Sequence, residues 1–293
     1  MDKYVYVIIK ERFDDLIYIN WTKKEIVDSV DKIEHELVRE ALEKTGIERG
    51  VEITTLADIP SEGSGLGSSS SLTVGLLNAF YTFQGIQTPS DVLAREACEI
   101  EIDIIGKPIG KQDQYAAAFG GLNEIIFHKE GKVRVNKVNL TNDKIRILGS
   151  NLLLFYTNIT RLADGILKKQ KDETETLYGT LLKMRNQVSF VKRSLENGDN
   201  DSLGFMLKEG WDLKRSLVST ISNPQIDDMY ERALKSGAVG GKICGAGGFL
   251  LLYVLREKQN AVRSTLKGYR ELPFMLERFG SRIIFNQRSD YWK

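Results

Sequence analysis

The chain has 293 residues, 42% of them hydrophobic and 28% charged, with 41 basic residues set against 40 acidic ones. That is enough apolar material for one large packed domain or two ordinary ones, and the net charge of +1 excludes the basic footprint of a nucleic-acid-binding protein. No apolar run reaches the roughly 18 residues of a membrane span, and the start MDKYVYVIIKERF lacks the plan of a signal peptide. The cysteines, Cys98 and Cys244, fit a reducing cytoplasm as small core residues. The histidines, His35 and His128, are too isolated for a metal cluster.

Taken in order, residues 3–10 and 15–20 alternate like paired strands, with a turn at Arg12–Asp14. A helix is predicted over 31–46, ended by Gly46, and a strand over 51–60. Leu72, Leu76, Ala79, Phe80 and Phe83 recur on one helical face, closed by Gly85. Thr88 is the expected cap of the next helix, with Pro89 in its first turn and Asp91 at its positive end, running to about Ile105. Strands are predicted at 121–127, 132–138 and 148–157. The pattern over 160–220 is helical, with turn signals at Asn197–Asn200. A helix at 226–235, a glycine-rich turn, a strand at 249–255, a helix at 257–268 and a strand at 282–286 complete the chain. Strands cluster and no regular βαβ alternation exists, so the fold class is α+β. The texture changes near 145–155, which divides the chain into domains 1–150 and 151–293.

Residues 60–71 read PSEGSGLGSSSS. A flexible linker has such a composition, but this stretch lies between a strand pattern and an amphipathic helix. There it presents free backbone N–H groups at the positive end of the helix. Gly63, Gly65 and Gly67 allow close approach of an anion, and the serines add hydroxyls. A P-loop requires a lysine that is absent, and a dinucleotide fingerprint requires glycine where Ser68 stands.

The stretch resembles the second signature of the GHMP kinases, P-x-x-x-G-L-G-S-S-A. Pro60, Gly65, Leu66, Gly67, Ser68 and Ser69 match position by position, and Ser70 replaces the commoner alanine. The resemblance implies a two-domain GHMP kinase fold, ribosomal protein S5 domain 2-like at the N-terminus and ferredoxin-like with extra helices at the C-terminus. It implies that Pro60, Gly63 and the run Gly65 to Ser70 wrap the triphosphate of ATP, and that Ser69 helps to hold Mg2+.

A kinase of this kind needs a second metal ligand and a group beside the acceptor hydroxyl. On a helix over 91–105, Glu101 falls on the apolar stripe while Glu99 shares the face of Arg95 and Asp103. A carboxylate on a buried face is costly unless paired or metal-bound. EIEID also alternates with period two, and as a strand it would make its acids equivalent. After the loop GKPIGKQDQ, Asp113 stands where the family places its catalytic aspartate. It also suits the N-terminus of the short helix AAAFGG, where an acid favours the helix dipole. Lys111 is near enough in sequence to help neutralise transferred charge, and by resemblance Gln112 and Asp113 meet the acceptor.

GGKICGAGGFLLLYV resembles the family's C-terminal glycine signature, so Gly245, Ala246 and Gly247 join the nucleotide site; Phe249 follows with fewer glycines before it than many members carry. The closest likeness is to a sugar-kinase branch that phosphorylates the anomeric hydroxyl of a heptose phosphate. A phosphorylated acceptor requires a cation; Arg161 is the first candidate and Lys111 the second, with a solvated arginine at a helix start as the other reading of Arg161. Fucose-type and isoprenoid-precursor kinases, and a non-catalytic relative, stay open as alternatives. The expected partner is a small sugar phosphate, with no nucleic acid and no membrane, and the assembly leaves room for a homodimer. Family members carry a further R-I-S-F-type segment upstream of the first strand; its absence would leave one sheet edge exposed.

Overall fold

The computed structural model describes residues 1–59, 64–159, 165, 177–217 and 220–287. Its contacts gather into two units, one of Lys3–Ser61, Gly67–Gly121 and Glu277–Lys293, the other of Met1–Asp2, Glu62–Leu66 and Leu122–Leu276. We call them the N-terminal and C-terminal units.

The N-terminal unit is built on a sheet of four strands, β1 (Val5–Glu11), β2 (Ile17–Asn20), β3 (Lys24–Val27) and β4 (Val51–Ala57), in the order β1-β4-β2-β3. The expected β1–β2 pair does not form. β4 lies between them, antiparallel to β1 and parallel to β2. The hairpin partner of β2 is β3, because the polar WTKK turn closes with Trp21 N–H donating to the Lys23 carbonyl at 2.9 Å. β1 is the outer strand, with Ile8 half exposed. Ile17, Ile19, Val51 and Ile53 alternate onto the buried face. Helices α1 (Glu36–Thr45), α2 (Ser68–Phe83) and α3 (Ser90–Cys98) add Val38, Leu42, Leu76, Phe80 and Ala94 to the same core.

α1 starts later than predicted: Val30–Lys32 form a 3-10 turn, Ile33 is extended and His35 is the N-cap. Gly46 ends it in the left-handed conformation, φ 69°. α3 is capped by Pro89, extended and without a side-chain bond, rather than by Thr88. The helix expected to reach 105 changes at Glu99 into a π-helical turn over Glu99–Ile104. α4 (Gln112–Phe119) begins inside the segment expected as loop. The predicted strand at 282–286 is irregular. The chain there packs on helices instead: Ser281 N–H donates to the Ala117 carbonyl and the Asn78 amide donates to the Ser281 hydroxyl.

In the C-terminal unit β5 (Asn123–Phe127) and β6 (Val133–Lys137) form a hairpin. A second sheet has the order β7 (Leu152–Tyr156), β9 (Phe249–Tyr253), β8 (Gly240–Cys244), all antiparallel neighbours. The start of the predicted 148–157 strand is helical. α5 (Asn142–Ser150) precedes β7, capped by the Thr141 hydroxyl that accepts from Lys144 N–H. α6 (Tyr178–Glu196), α7 (Asp201–Leu217), α8 (Pro224–Lys235) and α9 (Gln259–Thr265) follow. Trp211, Ile226, Met229 and Tyr230 bury themselves with Leu153, Phe155, Ile243, Leu250 and Leu252 of the sheet. β8 was expected as a glycine-rich turn. Its glycines leave room for their neighbours: a Cβ on Gly240 would stand 2.1 Å from the Gly204 carbonyl oxygen of α7, and one on Gly241 would stand 2.4 Å from the Leu251 carbonyl oxygen of β9. Among the described residues no helix is long and apolar enough to cross a membrane.

Candidate active site

The serine run lies at the head of α2. Gly67 is the N-cap, left-handed at φ 76°, and its carbonyl accepts from Ser71 N–H at 2.9 Å. Gly65 is also left-handed, at φ 68°, so the chain bends on either side of Leu66. Ser64 is buried, and its hydroxyl accepts from Leu66 N–H at 3.5 Å. Ser68, Ser69 and Ser70 therefore open the first turn, at the positive end of the helix dipole. Pro60 and Gly63 lie outside the described residues.

Within the C-terminal unit, Gly65 meets the turn after β8. A Cβ on Gly65 would lie 2.5 Å from the Cys244 carbonyl oxygen, and a Cβ on Gly245 would lie 2.4 Å from the Gly65 Cα. Gly245 is left-handed at φ 56°, and Ala246 beside it is buried. Gly247 donates its N–H to the Cys244 carbonyl at 3.3 Å and accepts from the Thr157 hydroxyl at 2.5 Å. Backbone meets backbone here, and both glycines are required by space.

Glu101 is fully buried. A π-helical turn fits an extra residue into each turn, and both Ile100 and Glu101 face inward within it. Glu101 Oε2 accepts from the Ser69 hydroxyl at 2.5 Å and Oε1 from the Gln114 amide at 2.9 Å. Lys107 Nζ stands 3.3 Å from Ser69 Oγ, 3.9 Å from Glu101 Oε2 and 3.3 Å from Glu36 Oε1. Glu99, two residues earlier, faces outward and pairs with Lys44 at 2.7 Å. The strand alternative for EIEID is thereby excluded.

Asp113 occupies the first turn of α4, and its carboxyl lies 3.5 Å from the point where a Cβ on Gly67 would be. Gln112 and Lys111 are exposed beside it. Lys111, the N-cap of α4, turns its carbonyl to the Cys98 thiol at 3.9 Å. Burial pushes that thiol up to about 12, against the pull of the Lys111 charge. Arg161 lies outside the described residues.

The structure thus brings together Gly67, Ser69, Glu101 and Asp113, which are distant in sequence. Sequence reading missed Lys107, Gln114 and Glu36. Lys107 sits in the quoted GKPIGK turn, where its charge was a usable signal; the spacing of Gln114 and Glu36 marks neither. Among the described residues no three histidine, cysteine or carboxylate side chains gather as a metal site. One buried carboxylate and one hydroxyl at a helix start do fit Mg2+, which takes few protein ligands and fills its shell with phosphate oxygens and water.

A profile of the GHMP kinases N-terminal domain matches residues 31–121, and one of the GHMP kinases C-terminal domain matches residues 191–269. The chain is 34% identical over 218 residues to a D-glycero-alpha-D-manno-heptose 7-phosphate kinase of Campylobacter jejuni, a match covering 73% of this chain and 64% of that protein. It is 30% identical over 224 residues to an L-fucokinase/L-fucose-1-P guanylyltransferase of Bacteroides fragilis, covering 73% of this chain and 23% of that protein. The chain therefore spans less than two thirds of the length of these relatives. The crystal structure of a D-glycero-D-manno-heptose 1-phosphate kinase from Bacteroides thetaiotaomicron superposes with a TM-score of 0.79 at 27% identity, covering 95% of this chain and 86% of that one.

Proposed function

The chain belongs to the GHMP kinases, and on that premise we propose that it transfers the terminal phosphoryl group of ATP to a sugar or sugar phosphate hydroxyl. The acceptor we assign is the anomeric hydroxyl of D-glycero-D-manno-heptose 7-phosphate. The observation that carries this reading is the meeting of a buried carboxylate, Glu101, with the Ser69 hydroxyl at the start of a helix whose N-cap glycine faces Asp113.

The first-turn N–H groups of Ser68 to Ser70 bind phosphate oxygens, since they stand at the positive end of the helix dipole. Gly67, left-handed at the head of the helix, leaves the backbone bare for close approach. Ser69 and Glu101 hold Mg2+, whose charge, when bound, offsets that of the phosphates. Gln114 keeps Glu101 aimed at Ser69 by occupying its other oxygen. Asp113 orients the acceptor hydroxyl and takes its proton. Lys111 lowers the cost of charge beside Asp113, and Arg161 is assigned to the acceptor's own phosphate. Catalysis in this reading is positioning and charge neutralisation, without a covalent enzyme intermediate.

The test is ATP turnover by the full chain with heptose 7-phosphate, unphosphorylated heptose, L-fucose and mevalonate as acceptors. Turnover with heptose 7-phosphate well above the others is expected, and loss of it in Asp113→Ala. Preference for L-fucose or mevalonate would replace the acceptor, and nucleotide binding without turnover on any would leave only a binding protein.

A further inference from the structure

Lys107, in the turn before α4, stands within reach of Glu101, Ser69 and Glu36. Glu101 is fully buried, and a buried carboxylate without a compensating cation is strongly destabilising. Among the described residues, Lys107 supplies the ammonium within 4 Å of it, at 3.9 Å. The ammonium is nearer still to Ser69 Oγ, at 3.3 Å. It therefore stands over the same two oxygens that the proposed reading assigns to a divalent ion. Mg2+ binds oxygen at about 2.0–2.1 Å, so a metal on Ser69 and Glu101 and an ammonium at its present distance would compete for one position. On its other side, 3.3 Å away, Lys107 meets Glu36, whose side chain is 48% exposed. That second carboxylate gives the ammonium somewhere to go.

We propose that Lys107 is the resident cation of the metal position: it neutralises Glu101 in the metal-free protein and moves towards Glu36 when a divalent ion enters between Ser69 and Glu101. Metal binding is then an exchange of one cation for another. The buried carboxylate never stands uncompensated, and the affinity of the free protein for metal is held down. This inference rests on the assignment of Ser69 and Glu101 as metal ligands.

The experiment is Mn2+ binding to the full chain without nucleotide, read from the electron paramagnetic resonance signal of free Mn2+, with thermal unfolding measured alongside. Lys107→Met is expected to bind Mn2+ about tenfold tighter than the parent, equivalent to about 1.4 kcal/mol. Its melting temperature without metal falls below the parent's and rises further than the parent's when Mn2+ is added. Lys107→Arg, which keeps the charge, binds Mn2+ as the parent does. Glu36→Gln, which removes the second carboxylate, binds it about twofold to threefold more weakly, the modest effect of a half-exposed pair. Should Lys107→Met not fold, Lys107→Gln serves in its place. Equal or weaker Mn2+ binding in the neutral variants overturns the proposal while leaving the site reading intact. Weaker nucleotide binding with unchanged Mn2+ binding also overturns it, by making Lys107 a phosphate ligand. No Mn2+ binding by the parent or any variant, even with a non-hydrolysable ATP analogue, overturns both the proposal and the metal assignment beneath it.

Discussion

Two glycine-bearing turns, one in each unit, are opposite in design. Around Gly67 the work is done by side chains. Asp113 lies at ordinary contact distance from the glycine, and the Ser69–Glu101–Gln114 chain of hydrogen bonds runs behind it. Around Gly65 and Gly245 no side chain fits, and the turn is shaped by backbone alone. The first region tolerates change of shape and should be sensitive to change of charge; the second should behave the other way round. The two turns thus have separable demands, charge beside the proposed phosphoryl-transfer position and bare backbone where the chain must close on itself.

The largest expected effect is on charge in the Gly67 region. Glu101→Gln retains volume and loses the carboxylate, and phosphoryl transfer should fall about 10²–10³-fold, the scale of losing one preorganised electrostatic partner. A steady-state assay checks this; a loss under tenfold would remove the contrast between the regions. Next comes shape in the other region. Gly245→Ala places a Cβ 2.4 Å from the Gly65 Cα at a left-handed position, so overpacking and backbone strain together should cost about 3 kcal/mol. Denaturant unfolding reads this directly. Gly67→Ala shares the left-handed penalty but meets Asp113 only at 3.5 Å, and about 1 kcal/mol is expected. If Gly67→Ala proved as costly as Gly245→Ala, the difference in packing would not be real.

Much of this was legible in the residues, and the failures have physical causes. The serine run and its flanking glycines announced a helix start, because left-handed glycine before a serine-rich first turn is a local signal. Glu101 was placed on the buried side by helical phase, although the helix changes to a π-helical turn before reaching it; the period-two alternative failed because Glu99–Ile104 are helical. The β1–β2 pairing was misread since pairing is a tertiary choice, and β4 competes for both edges with the same alternating isoleucines and valines. β8 was hidden because Gly240 answers to the helix crossing it and Gly241 to the neighbouring strand β9, contacts that spacing along the chain does not reveal. Lys107 and Gln114 were missed for a similar reason, since their partners Ser69 and Glu101 lie elsewhere in sequence.

The smallest effect tests whether charge is as unimportant near Gly245 as the backbone packing suggests. Lys242 and Cys244 alternate along β8, and Lys214 on α7 feels both. Burial first, and then repulsion from Lys242, bring the Lys214 ammonium down from 10.5 to about 8. Between those values the unfolded chain binds more protons than the folded one, so stability rises with pH from about 8 to about 10.5. Below pH 8 the folded protein carries the whole cost of the charge. Lys214→Met should therefore be more stable than the parent at pH 7. Partial exposure limits the gain to about 1 kcal/mol, and the two should converge as pH approaches the upper end of the window. Unfolding measured at pH 7 and near pH 10 gives both numbers. A gap that does not change with pH would mean that packing and not charge separates the variants. Lys242→Met, which removes the neighbouring charge and leaves Lys214 in place, should shift the onset of the rise to higher pH. Without that shift burial alone would set the titration, and the turn before Gly245 would be governed by shape throughout.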